Sequence, residues 1–283
     1  MAHEPVAGDA RQSRQFARQR AITEAVMREG SIRIEALAER FDISLMTIHR
    51  DLDELESRGV LRKSRGVATA TSTTLAESSD VYRLGRQAVE KEAVAAAALK
   101  LVEPGQAVIL DDSTTVLRLA RHLPTKAPLT VITNALPLMN DLRGTTGVTV
   151  LGIGGQYYDW CSAFMGPMTS RTVSSLRADT FFMSTSAITK DVAYHQFLET
   201  IETKRAMLEA SNKRVLLADH SKFGLRALHA LAPLKDFDVV IVDDGTSAED
   251  IDRMRGKGIE VVVAPRVQGR LRPAAGAGGT PEE

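Results

Sequence analysis

One cysteine in 283 residues, Cys161, has nothing to pair with inside the chain, which excludes an intramolecular disulfide and any zinc cage built from cysteines. Aromatic residues make up 5%, and their one cluster, Tyr157, Tyr158 and Trp160, reads as core or subunit contact, not as a sugar-stacking platform. No uncharged run approaches the ~18 residues of a membrane span, and the start, MAHEPVAGDARQSR, lacks a signal-peptide core. No membrane contact and a cytoplasmic location are therefore expected. An excess of charge is missing too: 36 Lys and Arg stand against 36 Asp and Glu, so no global field draws the chain to nucleic acid. His195, in AYHQF, has no partner at metal-ligand spacing, and neither a metal nor a cofactor is expected.

What is present is enough apolar content, 43%, for a packed core, in a chain longer than the about 100 to 200 residues of one domain. Two domains are expected. Charge is also uneven: from Arg11 to Gly66 there are twelve Lys or Arg against nine Asp or Glu, a net of +3. That footprint suits a small nucleic-acid module acting in more than one copy.

The segment Ser44 to Leu55, SLMTIHRDLDEL, explains why. Ser44 can cap a helix through the free N–H groups of its first turn. Leu45, Ile48, Leu52 and Leu55 then recur at helical spacing and define an apolar side, leaving Met46, Thr47, His49, Arg50 and Asp53 to face outward. Arg50 can fork onto a guanine edge or a phosphate. Upstream, Arg20 to Glu29 and Ile34 to Phe41 give two shorter apolar-periodic segments, the second joined to Ser44 by a corner too tight for anything but a helix-turn-helix over about 32–51. Downstream, Val60 to Thr69 reads as a basic hairpin bending at Gly66, a wing whose Arg62, Lys63 and Arg65 would meet phosphates. The expected DNA-binding residues are Ser44, Met46, Thr47, His49, Arg50, Arg62, Lys63 and Arg65.

Beyond a Ser/Thr-rich stretch between Ala70 and Asp80 the pattern changes. A helical Arg86 to Val102 is followed by short apolar runs at 107–110, 129–132, 148–153, 180–183, 215–218, 239–242 and 260–263, most of them separated by helix-length segments. Continuous Val/Ile/Leu runs mark strands buried on both faces, hence an α/β domain with a largely parallel sheet. Ligands in such sheets sit beyond the carboxyl ends of the strands, where this chain places polar clusters. These are Asp111 to Thr115, Thr133-Asn134, Gly154-Gly155, and Asp219 to Gly224. Hydroxyls and free N–H groups at the helix start after Asp112 make an anion site, and Lys204 and Lys222 could pair with the charge.

The spacing S-x-x-T-I-H-R-D-L-x-x-L, carried by Ser44, Thr47, Ile48, His49, Arg50, Asp51, Leu52 and Leu55, resembles the winged helix-turn-helix of DeoR-type bacterial transcriptional regulators. Residues 86–264 resemble the effector-sensing domain of that family, on Asp111 with Ser113-Thr114-Thr115, Thr133-Asn134, Gly154-Gly155, Gly166-Pro167, Lys204-Arg205, and Ala218 to Gly224 with Lys222. The resemblance implies the fold of ribose-5-phosphate isomerase in the sensor and a repressor of carbohydrate-metabolism genes whose DNA affinity is set by a small phosphorylated sugar or polyol. Two departures matter: His49 stands where a second basic residue is common, and Asp112 brings a carboxylate that would repel a phosphate beside it.

The expected organisation is a disordered start at 1–14, a winged helix-turn-helix at 15–70, a linker at 71–85, a sensor at 86–264 and a disordered tail at 265–283. Expected partners are a double-stranded DNA operator, a small anionic effector and further copies of the chain as a dimer or tetramer. The effector-binding set is Asp111, Ser113, Thr114, Thr115, Thr133, Asn134, Gly154, Gly155, Lys204, Asp219 and Lys222. The alternative is a sugar-phosphate isomerase carrying an accessory nucleic-acid module, with Asp111, Asp219 or Lys222 as the base; otherwise no catalytic residue is expected.

Overall fold

The computed structural model describes residues 14–70, apart from 16, 20, 24, 27, 28, 58 and 59, and residues 80–265. Of the ends read as disordered, only Arg14, which is helical, and Pro265 are described, and 71–79 of the expected linker lies outside the described residues.

The described residues between 14 and 26 are helical. Strand β1 (Ser31–Arg33) and helices α1 (Ile34–Arg40) and α2 (Leu45–Ser57) follow. Ser44 caps α2 as its position predicts, its Oγ accepting from the Thr47 N–H at 3.2 Å. Ile48, Leu52 and Leu55 are fully buried among Ile22, Val26, Leu37 and Leu61. Leu45 departs from the expected stripe, remaining 48% exposed. The covered face is turned instead toward Asp51, which is buried because the Arg18 guanidinium grips its carboxylate at 2.5 and 3.1 Å and Gln19 donates to it at 3.3 Å. Strands β2 (Leu61–Ser64) and β3 (Val67–Ala70) form the wing, with β1 adding to β3. Ser64 pairs with Val67, leaving Arg65 and Gly66 as a two-residue turn in which both φ angles are positive, the geometry that suits the twist of a hairpin.

Helix α3 (Asp80–Gly85) occupies the described part of the expected linker. Helix α4 (Ala88–Leu99) then leads into a seven-stranded, wholly parallel sheet. Its strands are β4 (Ala107–Leu110), β5 (Leu129–Thr133), β6 (Val148–Gly152), β9 (Ala178–Met183), β12 (Ser211–Ala218), β14 (Val239–Asp243) and β15 (Val261–Ala264), in the order β15-β14-β12-β9-β4-β5-β6. Alternate residues feed two apolar layers: Ile109, Phe181 and Met183 enter one, and Val108, Leu110 and Phe182 the other. Helices α4, α5 (Thr114–His122) and α6 (Leu136–Leu142) cover the second layer, while α8 (Leu198–Glu209) and α9 (Ala248–Arg255) contribute to the first. The run at 148–153, read as a buried strand, forms the sheet edge, and Leu151 is 40% exposed there.

Between these strands lie elements that the apolar runs did not announce. A hairpin of β7 (Gln156–Tyr158) and β8 (Ala163–Met165) precedes α7 (Pro167–Ser174). Strands β10 (Ala187–Thr189), β11 (Val192–His195) and β13 (His229–Pro233) form a small antiparallel sheet with an irregularity at Ala193/Tyr194. The chain leaves β4 toward β5 and β6, then returns to build outward from β9, so the order reverses between β4 and β9. That reversal opens a crevice beyond the carboxyl ends of the two strands.

Gly154-Gly155 serves packing. The Gly154 carbonyl accepts from Thr169 Oγ1 at 2.9 Å, and Gly155 has φ +151°, where an added Cβ would lie 2.1 Å from Thr169 Oγ1 and 2.9 Å from the Met165 carbonyl. Gly155→Ala should cost about 1–3 kcal/mol of stability through this overlap and the unfavourable φ. Denaturant midpoints measure it, and a loss under about 0.5 kcal/mol would mean that the turn yields freely.

Candidate functional site

Two regions carry the expected site residues. On α2, Met46 is 73% exposed, His49 and Arg50 are exposed, and Thr47 is half-buried with its hydroxyl 2.9 Å from that of Ser44. All lie away from the Ile48-Leu52-Leu55 side. On the wing, Arg62 and Arg65 are exposed. Lys63 is half-buried and engaged within the module: its ammonium forms an ion pair with Asp53 of α2, and its N–H donates to Glu56 at 2.8 Å. The wing is thereby tied to the helix that precedes it, and the Lys63 charge is already answered by a carboxylate.

The second region is the β4/β9 crevice. Asp111, at the end of β4, accepts from the Ser113 N–H with one oxygen and from the Ser184 N–H with the other, each at 2.9 Å, which links the ends of the two strands. Lys204, reaching in from α8, donates to the second oxygen at 2.8 Å and to the Ser184 carbonyl at 2.9 Å, and lies 3.6 Å from Asp112. Lys204 and both carboxylates are almost wholly buried. Burial works to lower the Lys204 pKa, but Asp111 and Asp112 outweigh it and hold the ammonium above the ordinary lysine range. Lys204 is therefore charged and already neutralised, in contrast to a lysine waiting for an anionic ligand. Asp112 lies between Lys204 and Arg83, whose Nη2 is 3.9 Å from its Oδ2.

Ser113 caps α5, its Oγ accepting from the Val116 N–H at 3.4 Å. Ser113, Thr114 and Thr115, together with Lys204 and Lys222, line one small cavity that also takes in Arg83, Lys91, Thr185 and His195. An adjoining one is lined by Arg83, Arg86, Lys91, Asp219 and Lys222. Asp219 accepts from the Ser221 N–H at 3.1 Å and from its hydroxyl. A larger cavity of about 360 Å³ also includes Ser113 and Thr114 in its lining and is bounded by Asp111, Asp112, Leu136, Asp141 and Tyr157 among others. Thr133 and Asn134 are not among the residues lining these cavities; Thr133 Oγ1 accepts from the Ala135 N–H at 3.1 Å, and Asn134 donates to the Phe164 carbonyl at 2.7 Å. Gly154 and Gly155 lie outside the linings as well.

The structure adds basic residues that the sequence reading passed over. Lys91, on the helix expected from Arg86 to Val102, is buried, its ammonium donating to the Arg83 carbonyl at 2.5 Å and to Thr114 Oγ1 at 3.0 Å. Burial first, then the nearby Lys222 cation, lower its pKa to about 7. His195 is pushed well below the usual histidine range by burial and by the Lys204, Arg83 and Lys222 cations, so it is neutral. The signal for Lys91 was available: a lysine amid an alanine-rich helix, Ala93 to Ala98, sits where the packed face falls. Among the described residues no group of three or more His, Cys, Asp or Glu could hold a metal, and no helix is long and apolar enough to cross a membrane.

Comparison with known proteins matches each of the two parts of the chain to a family. Residues 18–74 match the DeoR-like helix-turn-helix domain and residues 86–244 the DeoR C terminal sensor domain. The transcriptional repressor AccR of Agrobacterium fabrum is 30% identical over 81% of this chain and 90% of its own length. The lactose phosphotransferase system repressor of Staphylococcus epidermidis is 34% identical over 79% of this chain and 90% of its own. A ribose 5-phosphate isomerase from Methanocaldococcus jannaschii covers 47% of this chain and 53% of that one at 15% identity, with a TM-score of 0.35, too low to bear structural argument.

Lys91 generates a testable pH dependence. Its ammonium is present below about pH 7 and lost above it, while a nearby anion favours the charged form, so anion binding draws in a proton at higher pH. Sulfate, whose own charge is constant there, should bind more weakly by up to about tenfold per unit above pH 7. Titration calorimetry of Lys91→Met should give a flatter profile; an identical slope would place the titrating group elsewhere.

Proposed function

The chain belongs to the DeoR family of DNA-binding transcriptional regulators, and on that premise we propose that it is a repressor of carbohydrate-metabolism genes released from its operator by a small phosphorylated sugar or polyol. The observation that carries the effector half is the gathering of Arg83, Lys91 and Lys222 around the Ser113-Thr114-Thr115 helix start at the β4/β9 crevice. Cations, hydroxyls and free N–H groups at one strand-end site suit a phosphate ester. A family relative that represses a lactose phosphotransferase system supports the ligand class.

The protein is a regulator, not an isomerase, in keeping with relatives that are repressors. Two of the three candidate bases are also engaged: both Asp111 oxygens accept hydrogen bonds, and Asp219 is held by Ser221. In this reading Arg50 and His49 face base edges, Arg62 and Arg65 meet phosphates, and residues 15–70 form the DNA-binding module. The sensor is read as residues 86–264, preceded by the described helix α3. A dimer or tetramer would set two α2 helices on successive major-groove faces of one operator in the cytoplasm.

Arg50→Ala should weaken binding to an operator selected from random duplexes by about 1–3 kcal/mol while leaving the unfolding midpoint in place. Fluorescence anisotropy at matched salt reads it, and unchanged affinity would remove α2 from the base-reading role. On the wild-type complex, sugar and polyol phosphates should lower operator affinity by roughly 5- to 150-fold while the corresponding neutral sugars do not. Equal release by neutral sugars would overturn an anionic effector.

A further inference from the structure

The register of the wing sheet sorts its residues onto two faces. Residues directly opposite one another share a face, and successive rows alternate. The row Ile32, Ala68 and Lys63 is the covered one, with Ile32 and Ala68 buried in the core of the module. Lys63 is therefore carried on the inner side, where its ammonium meets Asp53 of α2. The flanking rows, Ser31-Thr69-Arg62 and Arg33-Val67-Ser64, lie on the outer face, and all of these residues except the half-buried Val67 are exposed.

That outer face holds two arginines, three hydroxyls and no carboxylate, and Arg65 stands in the turn at its end. Among the described residues, the guanidiniums of Arg33, Arg62 and Arg65 form no ion pair, whereas Glu29, Asp51 and Asp53 are engaged with Arg40, Arg18 and Lys63. Arg33 lies beside the turn: it pairs with Val67, the residue after Gly66, and the N–H that follows it, of Ile34, donates to the Gly66 carbonyl at 2.9 Å. Strands β1 and β2 flank β3, so the backbones at Arg33 and Arg62 are about 10 Å apart and the two side chains can meet different phosphates. The face is also continuous with the exposed side of α2, because Asp53, the partner of Lys63, lies one helical turn from His49 and Arg50. A duplex carrying one negative charge per about 1.7 Å of its axis has the charge that such a surface complements.

We propose that the outer face of the wing sheet is a phosphate-binding surface for the DNA duplex that α2 reads, with Arg33 of β1 holding the backbone together with Arg62 and Arg65, and with Lys63 left out. This rests on the DNA-binding reading above and extends the contact from the wing hairpin to the strand that leads into α1. Arg33 immediately precedes α1, so a phosphate held there fixes the start of the helix-turn-helix as well as the wing and, through their shared core, the placement of α2.

Salt dependence reads phosphate contacts without a known operator. The full chain is titrated by fluorescence anisotropy with mixed-sequence DNA duplexes between about 50 and 200 mM salt, and log affinity is plotted against log salt. Arg33→Ala should make the slope shallower by about one unit per bound protomer and weaken binding roughly three- to tenfold at about 100 mM salt, alike on duplexes of different sequence. Arg33→Gln should do the same, Arg33→Lys should restore both quantities, and Lys63→Met should leave the slope in place. A wild-type slope shallower than about two units per bound protomer, too small for three phosphates, would overturn the proposal without any variant. Unchanged slopes in both neutral Arg33 variants would overturn it, as would a slope that falls with Lys63→Met as far as with Arg62→Ala. An effect of Arg33→Ala confined to one base sequence would overturn it in favour of base readout. If the wild-type chain binds no duplex at any salt, the DNA-binding reading itself fails, which is a distinct outcome.

Discussion

Two carboxylates and one ammonium lie out of water where β4 and β9 end, and the arrangement of the sensor follows from how they are satisfied. An unpaired charge there would cost several kcal/mol, so Asp111 and Lys204 have to meet. Each also uses its remaining capacity on backbone, Asp111 on the Ser113 and Ser184 N–H groups and Lys204 on the Ser184 carbonyl. The pair therefore clamps the ends of two strands that run on to different halves of the sheet, and brings α8 over them. It also decides the chemistry nearby. Lys204 is answered by Asp111 and Asp112, and the other cations that line the basic cavities come from α3, α4, their junction and the turn after β12.

Local signals were legible where one element declares itself. Ser44 names its own helix start, Arg65-Gly66 its own turn, and the Val/Ile/Leu runs their own buried strands. The readings that failed needed a second element. Leu45 and Asp51 flank the same apolar stripe, and only Arg18 and Gln19, from another helical segment, determine that the carboxylate is covered and the leucine is not. Strands β10, β11 and β13 are three to five residues long, too short to show a local period, and β13 joins β11 only across more than thirty residues of sequence. Strand β6 looks like its neighbours in composition; only the sheet order makes it an edge.

At the candidate sites the same division holds. Residue types were readable, since hydroxyls and carboxylates at strand ends are visible in the chain. Allegiances were not: Lys204 belongs to Asp111, Lys63 to Asp53, Thr133 to its own turn, and Gly154-Gly155 to α7. Lys91 and Arg83 were overlooked because a lysine on a helix and an arginine in a polar connection are usually solvated, and their burial depends on α5 packing against α3 and α4.

The DNA-binding module and the crevice place different demands on any coupling between them. Arg18 to Asp51 and Lys63 to Asp53 bind the N-terminal helical segment, α2 and the wing to one another by charge as well as by the core of Ile48, Leu52 and Leu55. A unit braced in that way resists being reshaped from within, so a ligand that alters DNA affinity has to change where the whole unit is held. The described chain nearest that unit on the sensor side is α3, and α3 carries Arg83, which faces Asp112 with its side chain and Lys91 with its carbonyl. An anion in the basic cavities would compete with Asp112 for that guanidinium and strengthen the charge on Lys91 beneath it. The site thus touches the described helix that leads into the sensor directly, and differential contact with that helix is the physical requirement for a ligand to shift the placement of what precedes it.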